Sequence, residues 1–168
     1  MTGVNSEELG ILPKVVVAVA ISLVAAGVLW RGVTVEALQR LWGNLVDRPS
    51  GPMAFPFILQ PTMAVIAAIR AGVKDALAGR SPYLWTVLRR PQERVGRLRE
   101  GLNAAAGIIL FGLAMDVIYQ VLELKMFYPV EALIIALLLA FVPYLLIRGP
   151  VARVARRWHG GASAGQLR

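Results

Sequence analysis

The sequence predicts an all-α membrane protein: four transmembrane helices, short interfacial amphipathic helices, and both termini cytoplasmic. Three observations carry this. Of 168 residues, 57% are hydrophobic and only 17% charged, with a mean hydropathy of +0.63, which is more apolar than a soluble domain of this size. Apolar stretches at about 13–30, 55–70, 102–124 and 131–147 approach or reach the length needed to cross a hydrocarbon core of about 30 Å. The basic residues bracket these stretches and form no aromatic-interleaved platform, so the net charge of +8 points to orientation by the positive-inside rule rather than to nucleic acid.

Residues 1–158 read as one transmembrane helical domain and 159–168 as a disordered Gly/Ala/Ser tail. Glu7 and Glu8 sit where a signal peptide would carry basic residues, so Pro13–Trp30 is expected to be a retained first span. Lys14 can snorkel at one end, Trp30–Arg31 mark the other, and Ser22 can bond back to its own helix. From Gly32 to Ala54 the period changes. Val35, Leu38, Leu41, Trp42, Leu45 and Val46 share one face, and Glu36, Gln39, Arg40, Asn44 and Asp47 the other. That is an amphipathic helix too short to span, capped by Thr34, lying on the membrane surface or against a partner, and broken by Asp47-Arg48-Pro49-Ser50-Gly51-Pro52.

The second span, Phe55–Ile69, is the weakest; Pro61 should kink it, Gln60 lies beside the kink, and Arg70 closes it. Arg70–Glu100 reads as a polar, basic loop holding Asp75, Glu93 and Glu100 among its arginines. Ser81-Pro82 should start a short helix, and Pro91 should start another that leads into Leu102. In Leu102–Leu124, Gly112, Asp116, Tyr119, Gln120 and Glu123 share one helical face, extended back through Ile109 and Ala105. A carboxylate near the bilayer centre costs roughly 2.5–3.5 kcal/mol, so this stripe should face protein or a wet cavity. Gln60 and Asp116 each fall about 4 Å to the outer side of their span midpoints at a 1.5 Å rise per residue. Lys125–Pro129 is a tight turn. Glu131–Ile147 is the fourth span, bent at Pro143 and ended by Arg148-Gly149-Pro150; a basic amphipathic helix with Arg153, Arg156 and Arg157 follows.

Orientation follows from charge. The middle loop holds eight basic residues and the segment from Arg148 five, against Arg31, Arg40, Arg48 and Lys125 on the other side, which places both termini inside. If Phe55–Ile69 were only re-entrant, the amino terminus would lie outside.

The best functional candidates are Asp116, Tyr119, Gln120 and Glu123 with Gln60. They form either a proton or ion site, or interhelical glue through a Gln60–Asp116 hydrogen bond. Glu131 suits the positive end of its helix dipole. Arg89, Arg90, Arg153, Arg156 and Arg157 could contact lipid headgroups or an acidic partner. The absence of cysteine excludes disulfides, thiolate metal sites and thiol nucleophiles, and the single histidine, His159, lies in the tail. With no nucleophile–base pair, metal cluster or phosphate loop, we expect no enzyme, no catalytic residue, no metal and no cofactor.

The segments Phe57-Ile58-Leu59-Gln60-Pro61-Thr62-Met63-Ala64, Ala78-Gly79-Arg80-Ser81-Pro82-Tyr83, Asp116-Val117-Ile118-Tyr119-Gln120, Phe127-Tyr128-Pro129 and Arg148-Gly149-Pro150 together resemble a family of small bacterial inner-membrane proteins with no assigned activity. The resemblance covers roughly Gly51–Trp158 and implies a bacterial inner-membrane location, with no catalytic residue to carry over. The expected role is a non-catalytic accessory or scaffold subunit of a larger complex, partnered by the bilayer and by other membrane subunits or by itself. The alternative is a small oligomeric transporter or channel using the Asp116 stripe.

Overall fold

A computed structural model describes residues 9–31, 35–47 and 54–165, and these are mostly helical with no strand among them. The helices are α1 (Ile11–Arg31), α2 (Val35–Asp47), α3 (Ala54–Leu77), α4 (Tyr83–Arg89), α5 (Pro91–Tyr119) and α6 (Pro129–Gly165); α5 passes directly into a π-helical turn, Gln120–Leu124. Among the described residues, four segments are long and apolar enough to cross a membrane: Ile11–Trp30, Phe57–Leu77, Pro91–Leu124 and Pro129–Trp158. Thr34, Arg48, Glu7, Glu8 and the turn through Pro49–Pro52 lie outside the described residues.

Local chemistry sets the boundaries. Pro91 opens α5 and Pro129 opens α6, each where its missing N–H costs no helical bond. Gly79, at φ +63°, closes α3. Its N–H reaches Ala76 O at 3.1 Å and that of Arg80 reaches Asp75 O at 2.9 Å, the paired bonds of a Schellman cap. The second span therefore does not end at Arg70. Arg70 and Lys74 are exposed, so their heads can reach polar surroundings while the opposite face of the same turns remains packed.

Successive spans run antiparallel. Gly10 N–H donates to Asn103 Oδ1 at 3.0 Å where α1 begins, and Gly27 near its end packs on Val130. Asp75 at the end of α3 meets Arg97 of α5 and Arg148 of α6. The start of α1 and the Arg148 turn of α6 thus share one end of the bundle.

The core consists largely of small residues: Ala64 and Ala68 of α3, Ala105, Ala106 and Ile109 of α5, Ala140 of α6, with Tyr83 and Tyr144. Between helices in lipid, association comes from close packing, which small side chains permit. A Cβ on Gly72 would stand 2.8 Å from Arg148 O and 2.9 Å from Val151 Cγ1, so α3 lies directly on the α6 backbone.

That contact corrects one expectation. Arg148-Gly149-Pro150 does not end a helix; α6 continues to Gly165, with Pro143 and Pro150 inside it. Ala152 and Ala155 remain buried beyond the proline, and this packing holds the helix through a position that removes one backbone bond. The basic amphipathic segment is the continuation of α6. Helix also occupies residues 159–165 of the expected disordered tail, and residues 166–168 lie outside the described set.

Gly72→Ala should destabilise the bundle by about 1–3 kcal/mol through overpacking against backbone, whereas Gly107→Ala, which meets nothing within 4 Å, should not. Thermal unfolding of the two variants in one detergent checks this; equal midpoints would refute the close α3–α6 contact.

Two buried polar centres as the candidate functional site

The first centre lies where α5 meets α6. On α5, Gly101, Ala105, Ile109, Gly112 and Asp116 are buried, and Gln120 continues that line, so this part of the predicted stripe faces protein. Gln120 Nε2 donates to Asp116 Oδ2 at 2.7 Å, and Gln120 Oε1 accepts the Tyr128 N–H at 2.6 Å. A backbone N–H can only donate. It therefore fixes which end of the Gln120 amide faces Tyr128 and presents the NH2 group to the carboxylate.

Gln60 is buried beside them but bonds elsewhere. Its Nε2 donates to Ala136 O at 2.8 Å, and its amide rests on Gly112, where a Cβ would collide with it. The Gln60–Asp116 bond considered from the sequence is replaced by one to the α6 backbone. Tyr119 is half-buried and Glu123 is exposed on the π-helical turn, so the stripe ends at Gln120. Glu131, in the first turn of α6, is buried and accepts from Arg40 Nε at 3.4 Å; the Arg40 guanidinium also lies 3.7 Å from the Tyr128 ring centroid.

The second centre occupies the opposite end. Arg148 is fully buried, and its Nε and Nη2 grip Asp75 Oδ2 and Oδ1 at 2.8 and 3.1 Å. Its Nη2 also donates to Glu100 Oε1, and its Nη1 to Tyr144 OH, both at 2.7 Å. Arg97 Nη1 adds a 2.9 Å bond to Asp75 Oδ1 and a 3.2 Å bond to Glu100 Oε2, while its Nη2 donates to Ser81 O at 2.8 Å. Arg80, 48% exposed, spans both Glu100 oxygens at 3.2 Å.

Two tyrosines wall the cluster. Tyr83 lies edge-on to Tyr144 with centroids 6.1 Å apart, and the Arg148 guanidinium sits 4.2 Å from the Tyr83 centroid. The Tyr83 hydroxyl donates to Arg97 O at 2.8 Å across Gly101, where a Cβ would meet the phenol oxygen. Burial raises the Tyr83 phenol above its ordinary pKa, Tyr144 adds to this and Arg148 opposes it, so Tyr83 remains a neutral donor.

From the sequence, Asp75, Arg97 and Glu100 are loop charges and Arg148 a span terminator. A signal was present in the four-residue spacing. Gln60, Ala64, Ala68, Gly72 and then Asp75 are buried on α3; Ala136, Ala140, Tyr144, Arg148 and Ala152 are buried on α6. Each ladder of small and polar residues runs through the supposed boundary. The surface arginines behave differently: Arg89 stacks on Trp85 at 4.5 Å, Arg90 pairs with Glu93 at 2.9 Å, Arg156 bonds Ala152 O at 3.1 Å, and Arg153 and Arg157 are exposed.

Among the described residues, no group of three or more His, Cys, Asp or Glu is placed to hold a metal ion. No protein-family model, curated protein or solved structure matches the chain, so the chemistry of both centres rests on their own residues.

Removing one member of a buried ion pair leaves the rest uncompensated at a cost of about 3–5 kcal/mol, and Asp75→Asn should lose that much stability. Arg80→Ala, at the exposed rim, should lose less than about 1 kcal/mol. Denaturation in mixed micelles compares them; similar losses would show that Asp75 is not the acceptor that joins the helices.

Proposed function

We propose that the chain is a non-catalytic accessory or scaffold subunit of a larger assembly in the bacterial inner membrane, with its arginine-rich end in the cytoplasm. The observation that carries this reading is how the buried charges are used. Asp75 accepts from two arginines, and Asp116 is held by Gln120, which is itself locked by Tyr128. Groups committed to one another across three helices fix the shape of a bundle; they present no nucleophile aligned with a base.

The surface is consistent with that role. The spans expose Val24, Val28 and Leu29 on α1, Ile66 and Ile69 on α3, and Val142 and Leu146 on α6, apolar surface suited to lipid and to other membrane helices. Arg70, Lys74, Arg89, Arg90, Arg94, Arg99, Arg153 and Arg157 are exposed around the Arg148 end, supporting the cytoplasmic assignment of that end. There α4, with Trp85 and Leu88 exposed beside Arg89, has the composition of an interfacial helix.

The burial of Asp116 within a span favours a second reading, transport by a self-associated form, because an ionisable group in a span marks ion and proton pathways. Mass measurement of the native particle extracted in nanodiscs separates the two. Different subunits are expected to co-purify; a symmetric ring of this chain would favour transport, and a lone monomer would overturn the scaffold role. Asp116→Asn keeps an acceptor for Gln120, so assembly should survive it, while proton-coupled transport should not.

A further inference from the structure

α2 meets the bundle along one flank and leaves the rest of its described surface open: Arg40, Leu41 and Leu45 are half-buried, whereas Glu36, Gln39, Trp42 and Val46 are exposed. Arg40, at the centre of the polar face, points to the bundle, stacking on Tyr128 and pairing with Glu131, which is only 4% exposed. Trp42 and Val46, on the other face, are 62% and 69% exposed. A helix held to protein through one arginine, with tryptophan on one side of its open surface and glutamate on the other, fits the boundary between lipid and water. Glu131 and Tyr128 belong to the first turn of a membrane span and the turn before it, which places α2 level with that end of the bundle. The exposed Val28, Leu29 and Trp30 at the end of α1 continue the apolar surface there, since Gly27 packs on Val130.

We propose that α2 is an interfacial cover: Arg40 seats it on Tyr128 and Glu131, its Trp42–Val46 face contacts the acyl-chain boundary of the lipid bilayer, and Glu36 stays in water. The seat leads inward. Arg40 lies on the Tyr128 ring, Tyr128 N–H holds Gln120, and Gln120 holds Asp116, so α2 shields from lipid the polar groups that fix the α5–α6 turn. This deepens the membrane reading above and rests on it, but it does not depend on which subunits assemble with the chain.

The chain has no cysteine, so single nitroxide labels can be placed without altering a native thiol. The full chain in nanodiscs of phosphatidylethanolamine and phosphatidylglycerol would carry labels through Trp42→Cys, Val46→Cys, Glu36→Cys or Ile21→Cys. Labels at 42 and 46 should collide severalfold more with oxygen than with a water-soluble nickel chelate, and the label at 36 should show the opposite preference. Adding Arg40→Ala should mobilise the label at 42, and Arg40→Lys should preserve its immobility. Nickel access at 42 and 46 would overturn the proposal, as would exclusion of both reagents there, which is the signature of a protein partner or second copy, or no response to Arg40→Ala. Position 21 separates the failures: water at 42 with lipid at 21 refutes the cover alone, whereas water at both refutes the membrane reading.

Discussion

The Asp75 carboxylate is the point on which the bundle converges. It lies in the last turn of α3, receives two bonds from Arg148 of α6, and takes a third from Arg97 of α5, so three helices share one acceptor. Such a cluster contributes little net stability relative to a well-packed apolar substitute, because desolvation of the charges offsets much of their attraction. Its effect is on specificity. A helix rotated by one residue, about 100°, would withdraw its charge from the cluster and leave the other charges buried without it. The Tyr83 and Tyr144 rings close the remaining sides, and Gly101 admits the Tyr83 hydroxyl to the α5 backbone. Arginine suits the arrangement because its planar fork bonds two carboxylates and a phenol at once.

Small residues make the cluster possible. Apolar side chains gain little by leaving lipid for one another, so spans associate through close contact and polar bonds. Gly72 brings α3 onto the α6 backbone, and Gly112 gives Gln60 room to reach Ala136 O. In both places a missing side chain on one helix creates the space for a polar or backbone contact with another. The four-residue ladders on α3, α5 and α6 are the linear trace of these crossings.

The buried face of α5 was legible in the sequence because its polar residues recur at helical spacing inside an apolar run. Asp116, Gln120 and Gly112 face inward as that periodicity requires. The short α4 and the restart at Pro91 were legible from proline positions. The Asp75–Arg148 centre was hidden by the local signals that mark a helix end. Gly149 and Pro150 follow Arg148, and Arg70 and Lys74 precede Asp75, yet α3 and α6 support each other through both regions. A propensity rule weighs one helix at a time and cannot register a neighbour that compensates a lost backbone bond. The Gln60 partner was hidden for a related reason: depth along a span does not specify rotation, and an amide can bond a backbone carbonyl as readily as a carboxylate.

The separation of the two centres bears on what one chain can do. Asp116 lies 19 residues beyond Arg97, about 28 Å along α5 at 1.5 Å per residue, nearly the full thickness of a hydrocarbon core. With Arg97 at the basic end, Asp116 stands toward the opposite end of the bundle. Between them the packed interior is lined by Ala64, Ala68, Ala105, Ile109 and Ala140, with Gln60 against Gly112 on the Asp116 side. A solute passing through the monomer would have to part this apolar layer and separate α3 from α6, along which Asp75 binds Arg148 and Gly72 touches backbone. Charges fastened at both ends of a close-packed middle resist that opening, so a solute path of the kind weighed above would have to run between copies of the chain rather than through one.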